Sequence, residues 1–333
     1  MSEESHLKIP SLPDFGDGEH DAIIRTRGLT KKFGSKAAVR DVTLNVPRGK
    51  IFGFIGPSGS GKTTTIRMLT GYYKPTEGEV YVLDTEPVKF TKAIRENIGY
   101  MPQLFVMYEN LSVWENLNFA ASIYGMSFVR KQRLNEVLEF VELENHKRKL
   151  VRQLSGGMQR RLSLASTLLH KPELIFLDEP TAGVDPVLRR KFWDHFHELR
   201  DQGRTLFITT QYVSEAAYCD LVAVMGDGYL IVVDTPGGLR YRAYGGDVVN
   251  LRTQRLLDQK REDLLRQQPF VTGRIIHAGD GVLRIVVDEA STAIPQLLDW
   301  CREQDVPVQS VEEFMPPFDD VFVELVKDEQ ADE

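Results

Sequence analysis

Residues 56–63 read Gly-Pro-Ser-Gly-Ser-Gly-Lys-Thr and hold the groups whose types and spacing point most directly to chemistry. They fit the pattern G-x-x-x-x-G-K-[ST] and stand between an apolar run and a helix-like run, the strand-to-helix context in which this pattern binds phosphate. The glycines allow a tight turn whose successive N–H groups point inward and cradle phosphate oxygens at a helix N-terminus. We therefore predict a nucleotide phosphate site, with a ligand-free glycine-rich turn as the alternative. The residues assigned to it are Gly56, Pro57, Ser58, Gly59, Ser60, Gly61, Lys62, Thr63 and Thr64.

Lys62 and Thr63 supply what such a cradle needs beyond its backbone. Lys62 adds a compact positive charge, and the Thr63 hydroxyl suits a place on the Mg²⁺ that accompanies the phosphates. Two further reactive groups, Asp178 and Glu179, directly follow the apolar run of residues 174–177. Such a run is typical of a strand buried in a parallel sheet, and α/β folds bind ligands at the carboxyl ends of these strands. Strand alternation points the two carboxylates in different directions, so they can do different jobs.

The segment between the phosphate loop and the paired carboxylates carries helical periodicity. Ser112 and Glu115 form a capping-box pattern at the start of one helix. A second helix is indicated by apolar residues at i, i+3, i+4 and i+7 from Leu134. Together they predict an inserted helical subdomain over about residues 104–160. Beyond the carboxylates, Asp185 is followed by proline and is predicted to cap a further helix.

The composition of the whole chain limits its class. A length of 333 residues is enough for two domains. A content of 42% hydrophobic and 27% charged residues is ordinary for a soluble globular protein. The formal net charge of −7 argues against a general nucleic-acid-binding surface. No apolar run approaches the roughly 18 to 20 residues of a membrane span and no signal pattern opens the sequence, so we expect a cytoplasmic protein. The two cysteines lack CxxC spacing and are expected to be reduced.

Three segments are predicted along the chain. Residues 1–21 have few large apolar side chains and are expected to form a disordered tail. Residues 22–239 carry the motifs and are expected to form an α/β domain with a mixed-sheet core, an antiparallel β subdomain and the helical insertion. Residues 246–327 alternate as βαββαβ, the ferredoxin-like order, and lack a catalytic constellation. We therefore expect an accessory or regulatory domain there.

Residues 154–159, Leu-Ser-Gly-Gly-Met-Gln, resemble the signature motif of the nucleotide-binding subunits of ABC transporters. Other P-loop ATPases do not carry this motif. The resemblance covers roughly residues 22–239 and includes four more motifs in the family's order. These are the phosphate loop, Gln103 in the Q-loop position, Asp178 and Glu179 at the end of the Walker B strand, and residues 182–185 as the D-loop.

The resemblance implies ATP and Mg²⁺ as cofactors and a head-to-tail dimer that holds each ATP between the phosphate loop of one subunit and the signature of the other. Asp178 would then hold Mg²⁺ through water, Gln103 would complete its shell beside Thr63, and Glu179 would polarise the attacking water. Phe33 would stack on adenine, whereas its spacing alone favours a core position. The signature and D-loop residues placed at the nucleotide are Ser155, Gly156, Gly157, Gln159 and Asp185.

Gln211 departs from the family pattern. The family usually has histidine after the strand that follows the D-loop, and here that position, after Thr209 and Thr210, is Gln211. A glutamine can still donate a hydrogen bond to a γ-phosphate, but it cannot become a cation near neutral pH. Lys62, Glu179 and Gln211 are therefore the predicted catalytic set, and the alternative for Gln211 is a solvent-facing strand end. The Thr-Gln-Tyr sequence here, with the Pro-Pro-Phe segment from residue 316, resembles the drug-resistance branch of ABC-2 type exporters.

The resemblance implies an exporter subunit that drives a separate integral-membrane permease from the cytoplasmic face, as a homodimer or a dimer with a close paralogue. The alternative is a soluble ABC ATPase that acts on ribosomes or DNA. Those proteins usually carry paired ATPase domains or long coiled coils, which this chain lacks. A non-hydrolysing binding module is disfavoured because Lys62, Asp178 and Glu179 are all present. The transported substrate is not predicted, because the permease would select it.

Overall fold

The computed structural model describes residues 22–331 except 105, 128 and 280, so the predicted tail at 1–21 lies outside the described residues. The chain divides into two compact units, and the division falls between Val233 and Asp234. None of the helices in the described part of the chain combines the length and the apolar character needed to cross a membrane.

A six-stranded sheet forms the centre of the first unit, in the order β5-β6-β7-β3-β8-β9. The neighbouring pairs from β5 to β8 are parallel. Every residue of β3, β6 and β7 is buried, as predicted for the run at 174–177. The strands of this unit are β1 (Ala22–Phe33), β2 (Lys36–Pro47), β3 (Ile51–Ile55), β4 (Glu77–Val82), β5 (Ile98–Met101), β6 (Leu174–Asp178), β7 (Thr205–Thr210), β8 (Leu221–Gly226) and β9 (Tyr229–Asp234).

Strand register brings the carboxyl ends of β3, β6 and β7 to one edge of this sheet. Asp178 on β6 pairs with Thr209 on β7, and Thr209 pairs with Phe54 on β3. Below this edge Phe207 packs its ring 5.2 Å from Phe54 and 5.4 Å from Phe52. Because a close-packed interior resists movement, the polar groups at this edge stand on a rigid base. A separate antiparallel sheet in the order β2-β1-β4 confirms the predicted antiparallel β subdomain.

Six α-helices accompany the strands of the first unit. The predicted capping box opens α3, where the Ser112 N–H donates to Glu115 Oε2 at 2.8 Å and the Glu115 N–H donates to Ser112 Oγ at 3.2 Å. Helices α3, α4 and α5 pack on one another between β5 and β6 in the chain, so the predicted helical insertion is present. The helices are α1 (Lys62–Leu69), α2 (Lys92–Arg95), α3 (Val113–Ile123), α4 (Lys131–Phe140), α5 (Gly156–Leu168) and α6 (Pro186–Asp201).

The second unit contains a four-stranded antiparallel sheet in the order β11-β12-β10-β13. Helix α8 begins after Asp258, whose Oδ1 accepts the Arg261 N–H at 2.8 Å and fixes the helix start. Side chains of α8 and α9 share an apolar core with one face of this sheet. The elements are α7 (Pro236–Tyr244), β10 (Asp247–Thr253), α8 (Gln259–Arg266), β11 (Val271–His277), β12 (Val282–Val287), α9 (Ala290–Glu303), β13 (Val308–Phe314) and α10 (Phe318–Ala331).

Candidate functional site

The phosphate loop joins the buried strand β3 to α1, as its sequence predicts. Gly61 has φ of 100°, and a side chain there would come within 2.5 Å of the Ala38 carbonyl oxygen, so the backbone needs glycine at this position. Lys62 folds back across the loop, where its Nζ donates to the carbonyl oxygens of Gly56 at 2.8 Å and Pro57 at 2.9 Å. Burial lowers the pKa of the Lys62 ammonium, and the carboxylates of Glu179 and Asp178 oppose that shift.

Asp178 lies at the end of β6 with two hydroxyl groups on one of its oxygens. Oδ1 accepts from Thr209 Oγ1 at 2.6 Å and from Thr63 Oγ1 at 3.3 Å. The other oxygen, Oδ2, is buried and accepts no hydrogen bond from the described residues. Burial raises the pKa of this carboxyl above its ordinary range, and the two hydroxyl bonds act against the rise. A buried carboxylate oxygen without a donor is a position that a bound cation would stabilise.

Glu179 turns away from the strand and takes different contacts. Its backbone is left-handed, with φ of 50°, so the side chain direction is set by this turn and not by strand alternation alone. The Glu179 N–H donates to both the carbonyl oxygen and Oγ1 of Thr209, each at 3.1 Å. Gln103 Nε2 donates to Glu179 Oε2 at 2.9 Å. The two carboxylates therefore have separate partners, as separate roles require.

The groups at this edge fit a magnesium nucleotide. Mg²⁺ prefers oxygen ligands and usually keeps several waters, and Asp178 Oδ2 lies in the same cluster as the Thr63 hydroxyl. Ser60 Oγ, inside the phosphate loop, is buried without a hydrogen-bond partner among the described residues. Lys62 holds its ammonium against neutral carbonyl oxygens, which phosphate oxygens would replace as stronger acceptors. Gln103 contacts Glu179 and so stands beside the same cluster.

The signature residues stand at the start of α5, apart from the loop of their own chain. Ser155 caps α5 through a bond from the Met158 N–H to its Oγ at 3.3 Å, and Ser155 and Gly156 are exposed. A side chain at Gly157 would meet Leu188 Cδ2 at 2.6 Å, so glycine lets α5 approach α6. Across the described residues, no hydrogen bond joins Ser155, Gly156 or Gln159 to the phosphate loop. Asp185 caps α6 by accepting the N–H groups of residues 187 and 188 at 3.1 and 3.0 Å, as predicted.

Phe33 lies at the tip of the β1–β2 hairpin with 47% of its surface exposed, so the core position favoured by its spacing is wrong. Its ring packs edge-on against Tyr73 at 5.3 Å, and Lys31 Nζ lies 5.4 Å from the ring centre. Sequence reasoning did not single out Tyr73 or Lys31. An exposed aromatic ring with a fixed neighbour is a surface on which a flat heterocycle can stack.

Gln211 is the first residue beyond β7 and is exposed. The next residue is held by a bond from the Tyr212 N–H to Thr210 Oγ1 at 3.0 Å. Gln211 thus leaves the same sheet edge as Asp178 with its amide accessible. Thr209 contacts both carboxylate residues, and no motif spacing marks it.

The family model described as ABC transporter matches residues 39–182, which include the phosphate loop, Gln103, the signature and both carboxylates. The chain is 32% identical to the daunorubicin resistance ATP-binding protein DrrA3 of Streptomyces coeruleorubidus over 312 residues, which are 93% of this chain and 98% of that protein. The chain belongs to the ABC transporter ATP-binding family.

Other members of the ABC family match over shorter segments. The probable multidrug ABC transporter ATP-binding protein YbhF of Escherichia coli is 39% identical over 221 residues, 66% of this chain, and the match spans only 38% of that protein's length. A solved ATP-binding subunit of an ABC transporter superposes with a TM-score of 0.61 at 26% identity, and covers 66% of this chain and 92% of that chain. Gln211 and the second unit lie outside the residues that the family model matches.

Proposed function

We propose that this chain is the ATP-binding and ATP-hydrolysing subunit of an exporter. The observation that carries the proposal is the convergence of Lys62, Thr63, Asp178 and Glu179 at one sheet edge. Lys62 binds phosphate oxygens, and Glu179 accepts a proton from the water that attacks the terminal phosphate. Asp178 and Thr63 hold Mg²⁺, which when bound neutralises charge on the phosphates. Gln211 donates a neutral hydrogen bond to the same phosphate group.

We further propose that two chains pair head to tail to complete each site. The exposed Ser155 and Gly156 at the start of α5 support this arrangement. An exposed helix N-terminus suits an anion, and no hydrogen bond among the described residues joins Ser155 or Gly156 to the phosphate loop of the same chain. In the pairing, the signature of one chain faces the phosphate loop of the other, and Phe33 stacks on adenine.

Mixing two inactive variants tests both the activity and the pairing. Ser155→Arg removes the signature and Lys62→Ala removes the phosphate contact, so each alone should abolish phosphate release from Mg-ATP. Random pairing of the two variants gives one intact site in each mixed dimer, which predicts recovery of about a quarter of the wild-type rate if the sites act independently. Inactive wild-type protein would contradict the ATPase assignment. Active wild type with no recovery in cross-linked mixed dimers would contradict the head-to-tail pairing.

The permease contact is assigned to the first helix of the insertion and the segment that follows Gln103. Exposed apolar side chains gather there, and Tyr108 packs against Phe119 at 4.9 Å between ring centres. We call this set the apolar surface: Leu104, Val106, Tyr108, Phe119 and Ile123. Such a concentration of exposed apolar residues is typical of a protein contact. Its position beside Gln103 connects it to Glu179, and it would place this subunit on the cytoplasmic face of the membrane.

A cleft of about 710 Å³ supports the same permease contact. Its lining combines guanidinium groups with aromatic rings, which favours a short segment carrying an acidic residue. The residues concerned are Arg67, Tyr72, Phe90, Arg95, Tyr100 and Tyr124. Trp114 is half-buried, with Lys147 Nζ 5.9 Å from its ring centre, so we do not include it.

Tyr108→Ala in the complex with its permease tests the apolar surface. We expect basal hydrolysis by the isolated subunit to stay within about twofold of wild type, and transport to fall by about tenfold, because an interface aromatic often contributes more than 1 kcal/mol. Val88→Ala, at another exposed apolar residue, is the matched control and should leave both unchanged. Equal loss of hydrolysis and transport would place Tyr108 in folding and not in docking.

The second unit is proposed to be a ferredoxin-like accessory domain centred on residues 246–327. The chain would then contain this domain in addition to an ATPase domain of residues 22–239. Its strand order, β11-β12-β10-β13 with all pairs antiparallel, supports the fold. The described residues of the whole chain include no group of three or more His, Cys, Asp or Glu side chains placed to hold a metal ion. One relative, DrrA3, is named for daunorubicin resistance. On that ground we propose that the exported substrate is a small drug-like compound.

A further inference from the structure

A buried carboxylate that no motif includes lies close to the nucleotide site. Glu215 follows β7 and is only 1% exposed. Its Oε1 accepts a hydrogen bond from Thr181 Oγ1 at 2.7 Å and lies 3.7 Å from Arg189 Nε. Its Oε2 is buried and has no hydrogen-bond partner among the described residues. A carboxylate taken out of water costs free energy unless it is paired, so a residue with only structural duties would be better served by an apolar side chain.

The partner Thr181 builds the segment that carries the catalytic carboxylate. It lies two residues after Glu179, is fully buried, and its carbonyl oxygen accepts the Val184 N–H at 3.2 Å. The Ala182 N–H donates to the Glu179 carbonyl oxygen at 3.2 Å. The turn from Glu179 to the start of α6 is thus anchored to Glu215 through one short O–H···O⁻ bond, a strong class of hydrogen bond.

Arg189 extends the cluster to the segment after β7. It lies in the first turn of α6, donates to the Val184 carbonyl oxygen at 3.4 Å, and holds its guanidinium carbon 4.3 Å from the centre of the Tyr212 ring. Tyr212 directly follows Gln211, and Glu215 is four residues after Gln211. The cluster therefore ties together the two loops that carry Glu179 and Gln211, and it touches neither the phosphate loop nor Asp178 by any hydrogen bond in the described chain.

We propose that Glu215 is a positioning residue for the proposed ATPase reaction. Through Thr181 it fixes the turn after Glu179, and through Arg189 and Tyr212 it fixes the segment that begins at Gln211. A directional polar contact specifies one arrangement of these loops, which apolar packing alone would leave free to slide. The contacts within the cluster support this inference. Its effect on kcat can be measured only if the chain is an ATPase, so that part rests on the proposed function.

The test compares Thr181→Val with Thr181→Ser in the full chain. Valine keeps nearly the shape of threonine but leaves Glu215 without its donor, whereas serine keeps the hydroxyl. We expect Thr181→Val to lower kcat by roughly ten- to a hundredfold, as for loss of a hydrogen bond to a charged group, with KM for ATP within about twofold. Thr181→Ser should restore kcat to within about threefold of wild type. Thr167→Val, at a buried threonine that bonds only backbone oxygens, is the control and should be silent.

Hydrogen exchange supplies a readout that does not depend on activity. Amides of residues 179–185 should exchange about tenfold faster in Thr181→Val than in wild type, and at wild-type rates in Thr181→Ser. If Thr181→Val does not fold, Glu215→Gln tests the other link of the cluster, since its amide oxygen still accepts from Thr181 while the charge beside Arg189 is lost. In that variant kcat should fall and the amides of residues 211–215 should exchange faster than in wild type. The proposal is overturned if kcat and exchange are unchanged, or if serine fails to rescue them. Inactive wild-type protein with faster exchange in Thr181→Val would refute the ATPase function and leave the positioning role standing.

Discussion

Replacing Glu179 with glutamine separates the chemistry of the carboxylate from its place in the structure. Glu179 Oε2 accepts from Gln103 Nε2 at 2.9 Å, and a glutamine carbonyl oxygen can accept the same bond. The two bonds from the Glu179 N–H to Thr209 involve only the backbone of residue 179 and stay in place. The substitution therefore removes a negative charge and the ability to take a proton, and little else.

The expected magnitude follows from that separation. General-base assistance contributes about 10²–10⁴ in rate. Because each tenfold change in rate corresponds to about 1.36 kcal/mol, losing the base should raise the activation free energy of hydrolysis by about 2.7–5.4 kcal/mol. We expect kcat of Glu179→Gln to fall by that factor while ATP affinity changes by less than about threefold, since the group acts in the transition state. The melting temperature should change little, because the charge of Glu179 disfavours the ionised form of the buried Asp178 carboxyl but favours the charged form of Lys62.

Three measurements on one preparation decide the outcome. They are phosphate release at saturating Mg-ATP, binding of a fluorescent ATP analogue, and thermal unfolding followed by circular dichroism. Glu139→Gln, at an exposed glutamate on α4, makes the same chemical change away from the site and should match wild type in all three. Hydrolysis by Glu179→Gln within about threefold of wild type would show that another group takes the proton.

Four further outcomes are expected. Gln211→Ala should lose roughly ten- to a hundredfold in kcat, the worth of a hydrogen bond to a charged acceptor, and activity within about twofold of wild type would leave Gln211 a solvent-facing strand end. Gln211→His should retain much of the rate. Burial, together with nearby Arg133, lowers the pKa of His170, so the folded state favours the neutral imidazole. The free energy of unfolding therefore decreases as the pH falls below the unfolded-state pKa of about 6.5. Between pH 8 and pH 5.5 the urea midpoint should fall less for His170→Gln than for wild type. Burial raises the pKa of Cys301 to about 11 and that of Cys219 well above its usual value, so neither thiol should react with a disulfide reagent at pH 8 until urea unfolds the chain.

Features that depend on near neighbours in the chain were predictable. The capping box at Ser112 and the cap at Asp185 each join residues three positions apart or fewer, so the sequence contains both partners in one pattern. The phosphate loop is equally local, because its glycines are needed by the backbone of the loop itself. A continuous apolar run likewise placed β6, which is buried on both faces. Helical periodicity placed α3 and α4, each of which buries one face.

Features that depend on distant contacts were not predictable. Thr209 meets Asp178 across 31 positions, and Thr181 meets Glu215 across 34, so no spacing rule connects either pair. The exposure of Phe33 follows from its place at a hairpin tip, which periodicity does not reveal. Glu179 leaves the strand with a left-handed backbone while its N–H still bonds Thr209, and a strand pattern cannot anticipate that turn.

The left-handed backbone of Glu179 has a consequence for laboratory evolution of this protein. A non-glycine residue in this conformation carries a penalty of about 1–2 kcal/mol relative to its relaxed state. Glycine at position 179 would relieve that penalty, so a library selected only for heat resistance should enrich Glu179→Gly among its survivors. Such survivors would be well folded and unable to turn over ATP. A thermostability campaign on this chain therefore needs a growth or turnover screen in every round, since one stabilising substitution lies on the proposed catalytic carboxylate.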